Sequence, residues 1–366
     1  MGQRTGPVEG MGELMEYIDF DFFRGKRVFV TGHTGFKGAW LCRVLVNAGA
    51  EVTGYALPAP SEPNLFSLAG LDGRMNSITG DIRDAARLKA AYSAADPEIV
   101  LHLAAQPIVR ASYEDPVYTY ETNVMGTVNL LECVRSARGP VRSVVIITTD
   151  KVYENKEWAW GYREDDPLDG YDPYSNSKSC AELAVHSYVN SFFQHSGIAV
   201  STARAGNVIG GGDFARDRII PDCVRAAWHG SSVIVRSPHS VRPYQHVLEP
   251  VCTYLMIAQR QYADQRFTGW YNVGPDDCDC VTTGELADLF CRTWGGGMSW
   301  ENHAEDNAPH ESNFLKLDCS KMKSIFGWQP RWHIQDAVEK TVEWTKAWLA
   351  GESVPAVMDK QINAFL

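Results

Sequence analysis

No stretch of this sequence is long and apolar enough to insert into a bilayer. The first 20 residues carry Glu9, Glu13, Glu16 and Asp19 where a signal peptide would need an apolar core. Later apolar runs stop well short of the roughly 20 residues that a span requires. A cytoplasmic chain with no membrane contact is therefore expected. Positive charge is scarce too. Lys and Arg total 34 against 45 Asp and Glu, a net charge of −11. A nucleic-acid backbone binder shows the opposite balance, so no nucleic acid is expected as a partner. A small anion remains open, because it needs only a local cationic pocket. The nine cysteines are odd in number and scattered, apart from Cys278 and Cys280. They make no disulfide framework in a chain this large and apolar. Cys133, Cys180 and Cys252 lie in apolar patterns and are read as buried thiols. The ten His show no metal-ligand spacing, and no metal is expected.

What is present is a repeating alternation. With 366 residues and 45% hydrophobic content, the chain can build a sizeable core and two lobes. KRVFVT (26–31) reads as a buried strand, and AWLCRVLVNAGA as a helix ending at Gly49. Further strands are EVTGYAL, MNSITG, PEIVLHLAAQ, 143–148 and 197–203. Asp84 starts a helix through 93, and 114–135 and 173–193 read as long helices, the second with Pro173 in its first turn. This pattern predicts a Rossmann-type doubly wound α/β fold, a parallel sheet with helices on both faces. The second half is less regular. It holds a strand at WYNV, a helix at 283–294 starting near Thr283, a short helix in 320–330 and a terminal amphipathic helix at 333–350. Residues 20–205 are read mainly as a dinucleotide-binding domain. Residues 206–366 are read mainly as a smaller mixed substrate lobe, with segments around 245–275 returning to the first domain.

GHTGFKG follows the first strand and opens the first helix. Gly32, Gly35 and Gly38 have GxxGxxG spacing, and His33 and Phe36 lie between them. Glycines there permit a tight turn and close approach of a pyrophosphate, while the helix N-terminus offers amide donors. The carboxylate usually found at the end of strand two to grip a ribose diol is missing: the stretch reads GYALPAP. NAD is expected over NADP, though that missing acid weakens the choice. Lys37 is either a cation for the ligand or an exposed helix lysine. Asp81 and Ile82 end strand three and are candidates to meet the adenine, with Asp81 equally readable as a helix cap. Ala104 and Ala105 end strand four, where small residues let a cofactor approach.

VVIITTDKVY, residues 144–153, runs a buried strand into Thr149, Asp150 and Lys151. Downstream, YSNSK places Tyr174 and Lys178 four apart on one helix face. An ammonium beside a phenol favours phenolate and brings its pKa toward neutrality. Lys178 is also placed to hold a nicotinamide ribose, and Thr149 to bind the same sugar oxygen as Tyr174. This is a hydride-transfer arrangement for a secondary alcohol. Asp150 and Lys151 are readable as a turn pair. They are equally readable as an acid for a leaving hydroxyl, with a lysine that holds it or assists proton removal.

For the substrate, Asn123 in the long helix and Asn207 in GNVIGGG are candidates. GGGDFARDRIIPD supplies Arg216 and Arg218, and VRPYQHVLEP brings Arg242, Tyr244 and His246 together. Arg242 is the preferred phosphate ligand by charge and bidentate geometry. Tyr244 is a base-stacking or core residue. His246 is read at the start of an apolar helix, as a ligand or a structural residue.

GHTGFKG, GDIRD, HLAAQ, TTDKVY, YSNSK and RAGNVIGGGD together resemble the extended short-chain dehydrogenase/reductases that modify sugar nucleotides. The resemblance covers nearly all of residues 20–350. TDKVYEN, PYSNSK, GGGDFARDRIIPD and RPYQHVLEP resemble the branch acting on CDP-glucose. The resemblance implies a 4,6-dehydration that makes precursors of 3,6-dideoxysugars for O-antigen lipopolysaccharide. It implies Tyr174 as the C4 base, Lys178 as its partner, Thr149 as the oxygen binder and Asp150 as the acid for the departing C6 hydroxyl. It also implies a homodimer through the two long helices, a monomer with those faces in its own core being the alternative. Relatives acting on dTDP-glucose place Glu after that Asp as the C5 base. Here Lys151 stands in its place, which leaves the C5 base open. A 4-epimerase would share the glycine turn, Thr149, Tyr174 and Lys178 without needing Asp150. A non-catalytic nucleotide-sugar or NAD-binding protein would have no need of the Tyr174–Lys178 pair.

Overall fold

Val- and Ile-rich runs bounded by glycine and acidic turns build the strands, and the longer periodic segments between them build the helices. The computed structural model describes residues 18–303 and 314–366. The first strands are β1 (Arg27–Thr31), β2 (Glu51–Ala56), β3 (Asn76–Thr79), β4 (Ile99–His102), β5 (Ser143–Thr149) and β6 (Ala199–Ala205). Four short strands follow: β7 (Val208–Ile209), β8 (Val233–Val235), β9 (Val241–Pro243) and β10 (Gln245–His246). β11 (Trp270–Val273), β12 (Cys280–Thr282) and β13 (Trp300–Asn302) come last.

Seven strands form one parallel sheet in the order β11-β6-β5-β4-β1-β2-β3. All seven residues of β5 and of β6 are buried, as a parallel sheet covered on both faces requires. The chain lays β2 and β3 on one side of β1, then crosses to the other side for β4. That reversal opens a crevice at the carboxyl ends of β1 and β4, the usual ligand position in such sheets. Thr31, His102 and Thr149 end their strands at this edge.

β11 pairs with β6, and the helix Leu248–Ala263 joins the core of the large sheet through Val251, Leu255 and Ala258. The pairs β7·β10, β8·β13 and β9·β12 lie outside that sheet. Helices Ile219–His229, Thr283–Trp294 and Ile334–Leu349 pack a separate core from Val224, Leu286, Phe290, Val338 and Val342. Among the described residues, no helix is long and apolar enough to cross a membrane.

Some helix readings change. The segment 114–135 is not one helix. Pro116 starts a new one under an Asp115 cap, and a π turn at Glu121–Met125 joins it to Gly126–Ser136. Proline lacks the N–H that would continue the preceding helix. The helix from Pro173 spans 173–193 as read, α-helical to Tyr188 and closing in a π turn at Val189–Phe193. The helix Thr283–Trp294 stands as read, with Thr282 as its cap in a capping box with Glu285. The helix Ile334–Leu349 is not terminal, because Val354–Phe365 follows and lays Asp359 against Arg43 and Asn47 of the first helix. Of the cysteines read as buried, Cys133 and Cys252 are so and Cys180 is half-buried.

Candidate active site

At the end of β1 the chain turns at Gly32, whose φ of +75° suits glycine. A Cβ there would lie 2.7 Å from the Ala104 nitrogen, and one at Gly38 would lie 2.1 Å from the Gly32 carbonyl oxygen. These two glycines let the loop, β4 and the first helix close on each other. Gly35 differs. Its Cβ would meet only the Gly32 carbonyl oxygen, at 3.4 Å, and it caps the helix Phe36–Asn47. The cradle is therefore tight behind and open in front, where a pyrophosphate would approach amide donors. The cleft in front has a volume of about 1430 Å3. Gly32, Gly35, Phe36 and Gly38 line it, as do Asp81, Ile82, Ala104, Ala105 and Lys178.

His33 is not part of that lining. Its ring lies over Gly54, where a Cβ would come within 2.3 Å, and Nε2 is 2.7 Å from the Ser77 hydroxyl. Burial pushes this imidazole down to about 4, so the ring is a neutral wedge under the glycine turn, outside the cleft lining. Asp81 is not a helix cap, since Asp84 caps the helix Ala85–Ala95. Its carboxylate is instead held by the Arg83 guanidinium at 2.8 and 3.0 Å. The loop after β2 forms a cleft wall through Leu57, Pro58, Ser61, Glu62 and Asn64. No periodicity in the sequence marked it. Lys37 is no exposed helix lysine: it lines this cleft and a second one beside it. Burial and the neighbouring charges of Arg218 and Lys178 push its ammonium down to about 7, with Asp150 opposing.

The second cleft, about 500 Å3, begins at the end of β5 and includes Thr149, Asp150, Lys151 and Tyr174. Asp172 caps the helix Pro173–Tyr188, and Ser112 accepts the Tyr174 backbone N–H at 3.1 Å. Tyr174 and Lys178 consequently face the sheet edge, both buried. Burial pushes the Tyr174 phenol up to about 12, against the hydrogen bond to Thr149 and the charge of Arg218. Proximity of Lys178 was expected to lower this phenol. The Lys178 ammonium instead donates to the Ile147 carbonyl at 3.3 Å, and burial pushes it down to about 8.

Thr149 Oγ1 donates to Asp150 Oδ1 at 3.0 Å, and Lys151 Nζ lies 3.3 Å from that oxygen and 3.3 Å from Asn207 Oδ1. Asp150 Oδ2 is buried with no hydrogen-bond partner among the described residues. An acceptor left unmatched beside a cleft is placed for a ligand hydroxyl.

Farther along the second cleft lie Asn207, Arg218, Arg242 and Tyr244. Arg218 precedes the helix Ile219–His229 and pairs with Asp213 at 3.2 Å. Arg242 is buried on β9, and the Tyr244 hydroxyl is 3.1 Å from that of Thr283. Arg216 lies on the wall of the larger cleft, not of this one. Two expected ligands lie elsewhere. Asn123 is fully buried, bonded to both main-chain groups of Gln106 and to Ser177, so it ties a strand end to the Tyr174 helix. His246 is on β10, before the helix that begins at Leu248, with its ring between Trp40 and Trp332. Burial lowers it to about 3. Sequence reasoning missed Arg236, Ser237, Ser240 and Thr283, which complete the far end of the cleft. They come from separated segments that only the second lobe's packing brings together.

The chain matches the family model described as GDP-mannose 4,6 dehydratase over residues 29–341. It is 50% identical to the CDP-glucose 4,6-dehydratase of Salmonella typhimurium, over 95% of this chain and 98% of that one. Among solved structures it resembles DesIV, a dTDP-glucose 4,6-dehydratase from Streptomyces venezuelae with NAD bound. The TM-score is 0.76 at 24% identity, covering 89% of this chain and 98% of that one. A UDP-glucose 4-epimerase from Thermotoga maritima has TM-score 0.77 at 20% identity, covering 88% of this chain and 99% of that one. With the glycine cradle, the Tyr174–Lys178 helix and a match across most of its length, the chain belongs to the GDP-mannose 4,6 dehydratase family, of the extended short-chain dehydrogenase/reductase type.

Proposed function

We propose that this chain is a CDP-glucose 4,6-dehydratase, a carbon–oxygen lyase that makes CDP-4-dehydro-6-deoxyglucose and water. The observation that carries the reading is the meeting of two chemistries at the end of β5. A hydroxyl pair, Thr149 and Tyr174, stands beside an acid–lysine pair, Asp150 and Lys151. A 4-epimerase needs only the first. Half of the aligned positions are shared with a relative of that activity.

The cradle of Gly32, Gly35 and Gly38, with Asp81, Ile82, Ala104, Ala105 and Lys178, suits NAD. When bound, NAD supplies the acceptor for the C4 hydride and the donor that returns it to C6. The residues do the rest. Burial holds the Tyr174 phenol protonated, so it takes the O4 proton as a phenolate, ionised beside the cationic ring of bound NAD, with Thr149 on the same oxygen. The ketone formed at C4 acidifies C5–H. Lys151 and Asp150 lie at 3.3 Å, so one proton passing from ammonium to carboxylate leaves a neutral amine and a carboxylic acid. The amine takes the C5 proton, and the acid protonates the C6 hydroxyl as it leaves as water. The pair returns to its charged form, the ammonium later returns a proton to C5, and the O4 proton left on Tyr174 passes back to Lys151 through solvent, which closes the cycle. Asn207, Arg218 and Arg242 hold the diphosphate, with Arg216 at its border, and Tyr244 packs the nucleoside end.

The same reading assigns residues 20–205 mainly to the cofactor and 206–366 mainly to the sugar nucleotide, with 245–275 returning to the first lobe. It includes a cytoplasmic setting, a role in 3,6-dideoxysugar and O-antigen precursor synthesis, and a homodimer. Exposed Val117, Met125 and Leu183, at 66%, 51% and 53%, support pairing through their helices.

The experiment is incubation with CDP-, dTDP-, GDP- and UDP-glucose, with and without NAD. The expected result is a 4-keto-6-deoxy product from the CDP-sugar. A C4 epimer without loss of water overturns the assignment in favour of an epimerase.

A further inference from the structure

Next to the reacting groups lies a buried ion pair that no step above uses. Glu182 follows Lys178 by one helical turn. It and Arg204 of β6 are both 0% exposed and 2.9 Å apart. Neither lines either of the two clefts described above. Glu182 Oε2 accepts from Arg204 Nη2 and, at 2.8 Å, from Thr202. Oε1 accepts from the Thr148 hydroxyl at 2.5 Å. His186 Nε2 is 3.5 Å away. Arg204 Nη1 reaches the Tyr153 hydroxyl and the Glu164 carbonyl, both at 2.9 Å. One carboxylate thus ties the Tyr174–Lys178 helix to the ends of β5 and β6. Packing alone does not call for this. Two apolar side chains of similar volume would fill the space without desolvating two charges.

Thr148 precedes Thr149 and lines both clefts, so the carboxylate touches the strand that carries the reacting hydroxyl. It is also the counter-charge for Lys178. Burial drives that ammonium toward its neutral form, with Glu182 opposing, while His102 on β4 and Lys37 at the glycine turn are the other titratable groups facing it. Burial pushes the Glu182 carboxyl up, but Arg204 outweighs it and holds the group down at about 2.

We propose that Glu182, clamped by Arg204, is a positioning residue of the C4 oxidation. It fixes Thr148 behind Thr149 and keeps Lys178 charged beside Tyr174. The proposal rests on the role given above to Tyr174 and Lys178. Substituting Glu182 alone would strand a buried arginine, so the test uses the neutral pair Glu182→Gln/Arg204→Gln, checked for folding by its melting temperature. The kcat–pH profile is measured with CDP-glucose and NAD. Asp150, Arg218 and Asp172, the groups around Tyr174, are left unchanged. The alkaline limb is expected to move down by about one pH unit with KM little changed, because an uncompensated buried ammonium loses its proton sooner. A folded pair variant with the wild-type profile overturns the proposal. If the pair does not fold, Thr148→Val decides. A several-fold fall in kcat, restored by Thr148→Ser, supports the clamp, and wild-type kcat overturns it. Inactive wild-type protein would instead sink the dehydratase reading itself.

Discussion

Lys151 Nζ lies 3.3 Å from Asp150 Oδ1, in a pair that is almost closed to solvent on the Asp150 side. In the proposed mechanism this contact is where the acid and the lysine that follows it exchange a proton. An ammonium–carboxylate pair and an amine–acid pair differ by one proton moved across one contact. The proposed elimination uses the second form.

Asp150→Asn is therefore expected to separate the two halves of the reaction. C4 oxidation persists, because Tyr174 and Thr149 are intact, and reduced nicotinamide accumulates in absorbance. Loss of water slows by roughly 10²–10⁴-fold, the usual worth of a positioned acid. Rapid elimination by this variant would remove Asp150 from the role.

Tyr174→Phe acts one step earlier. No reduced nicotinamide should appear in a single turnover, and overall turnover should fall by roughly 10²–10⁴-fold. The melting temperature should change little, since the phenol's partner Thr149 keeps its bond to Asp150. Retention of the absorbance burst would move the O4 proton to another base.

The glycine turn predicts a contrast. Gly35→Ala places a methyl group in free cleft space, so NAD affinity should fall by more than about tenfold with the fold intact. Gly38→Ala drives its Cβ into the Gly32 carbonyl oxygen and should lower the melting temperature as well. Calorimetric titration with a thermal scan reads both. Equal melting temperatures for the two variants would contradict the packing described for Gly38.

Acid stability follows from buried imidazoles. Burial holds His33 at about 4 and His102 and His246 at about 3, against 6.5 unfolded. Below pH 6.5 the unfolded chain takes up protons that the folded chain refuses. The stability these groups contribute is complete above 6.5 and is lost as pH falls toward 4. Each contributes up to about 1.4 kcal/mol per pH unit in that window. Glu249, which burial raises to about 7, acts in the opposite sense, so the comparison is by variant. His246→Gln should lose less stability than wild type between pH 7 and pH 5 in urea titrations. Parallel losses would show that His246 is not a titrating contributor.

Strand–helix alternation determined the parallel sheet, because a strand buried on both faces must read as an unbroken apolar run and the connecting helices must be periodic. The glycine turn, the end of β5 and the Tyr174–Lys178 spacing were legible for a related reason. Each lies within a few residues of chain, and local geometry alone sets its direction. The tertiary structure decided what depends on distant segments. It turned His33 and His246 into packing wedges and made Asn123 a strap, since burial strength depends on what packs above. It brought Lys37 to the border of both clefts, placed Arg216 on the larger one, and joined Arg236, Ser237, Ser240 and Thr283 into the far end of the other. It also seated Glu182 on Arg204, 22 residues away. No spacing announces such a pair, because its charges meet only when a helix is laid across the ends of two strands.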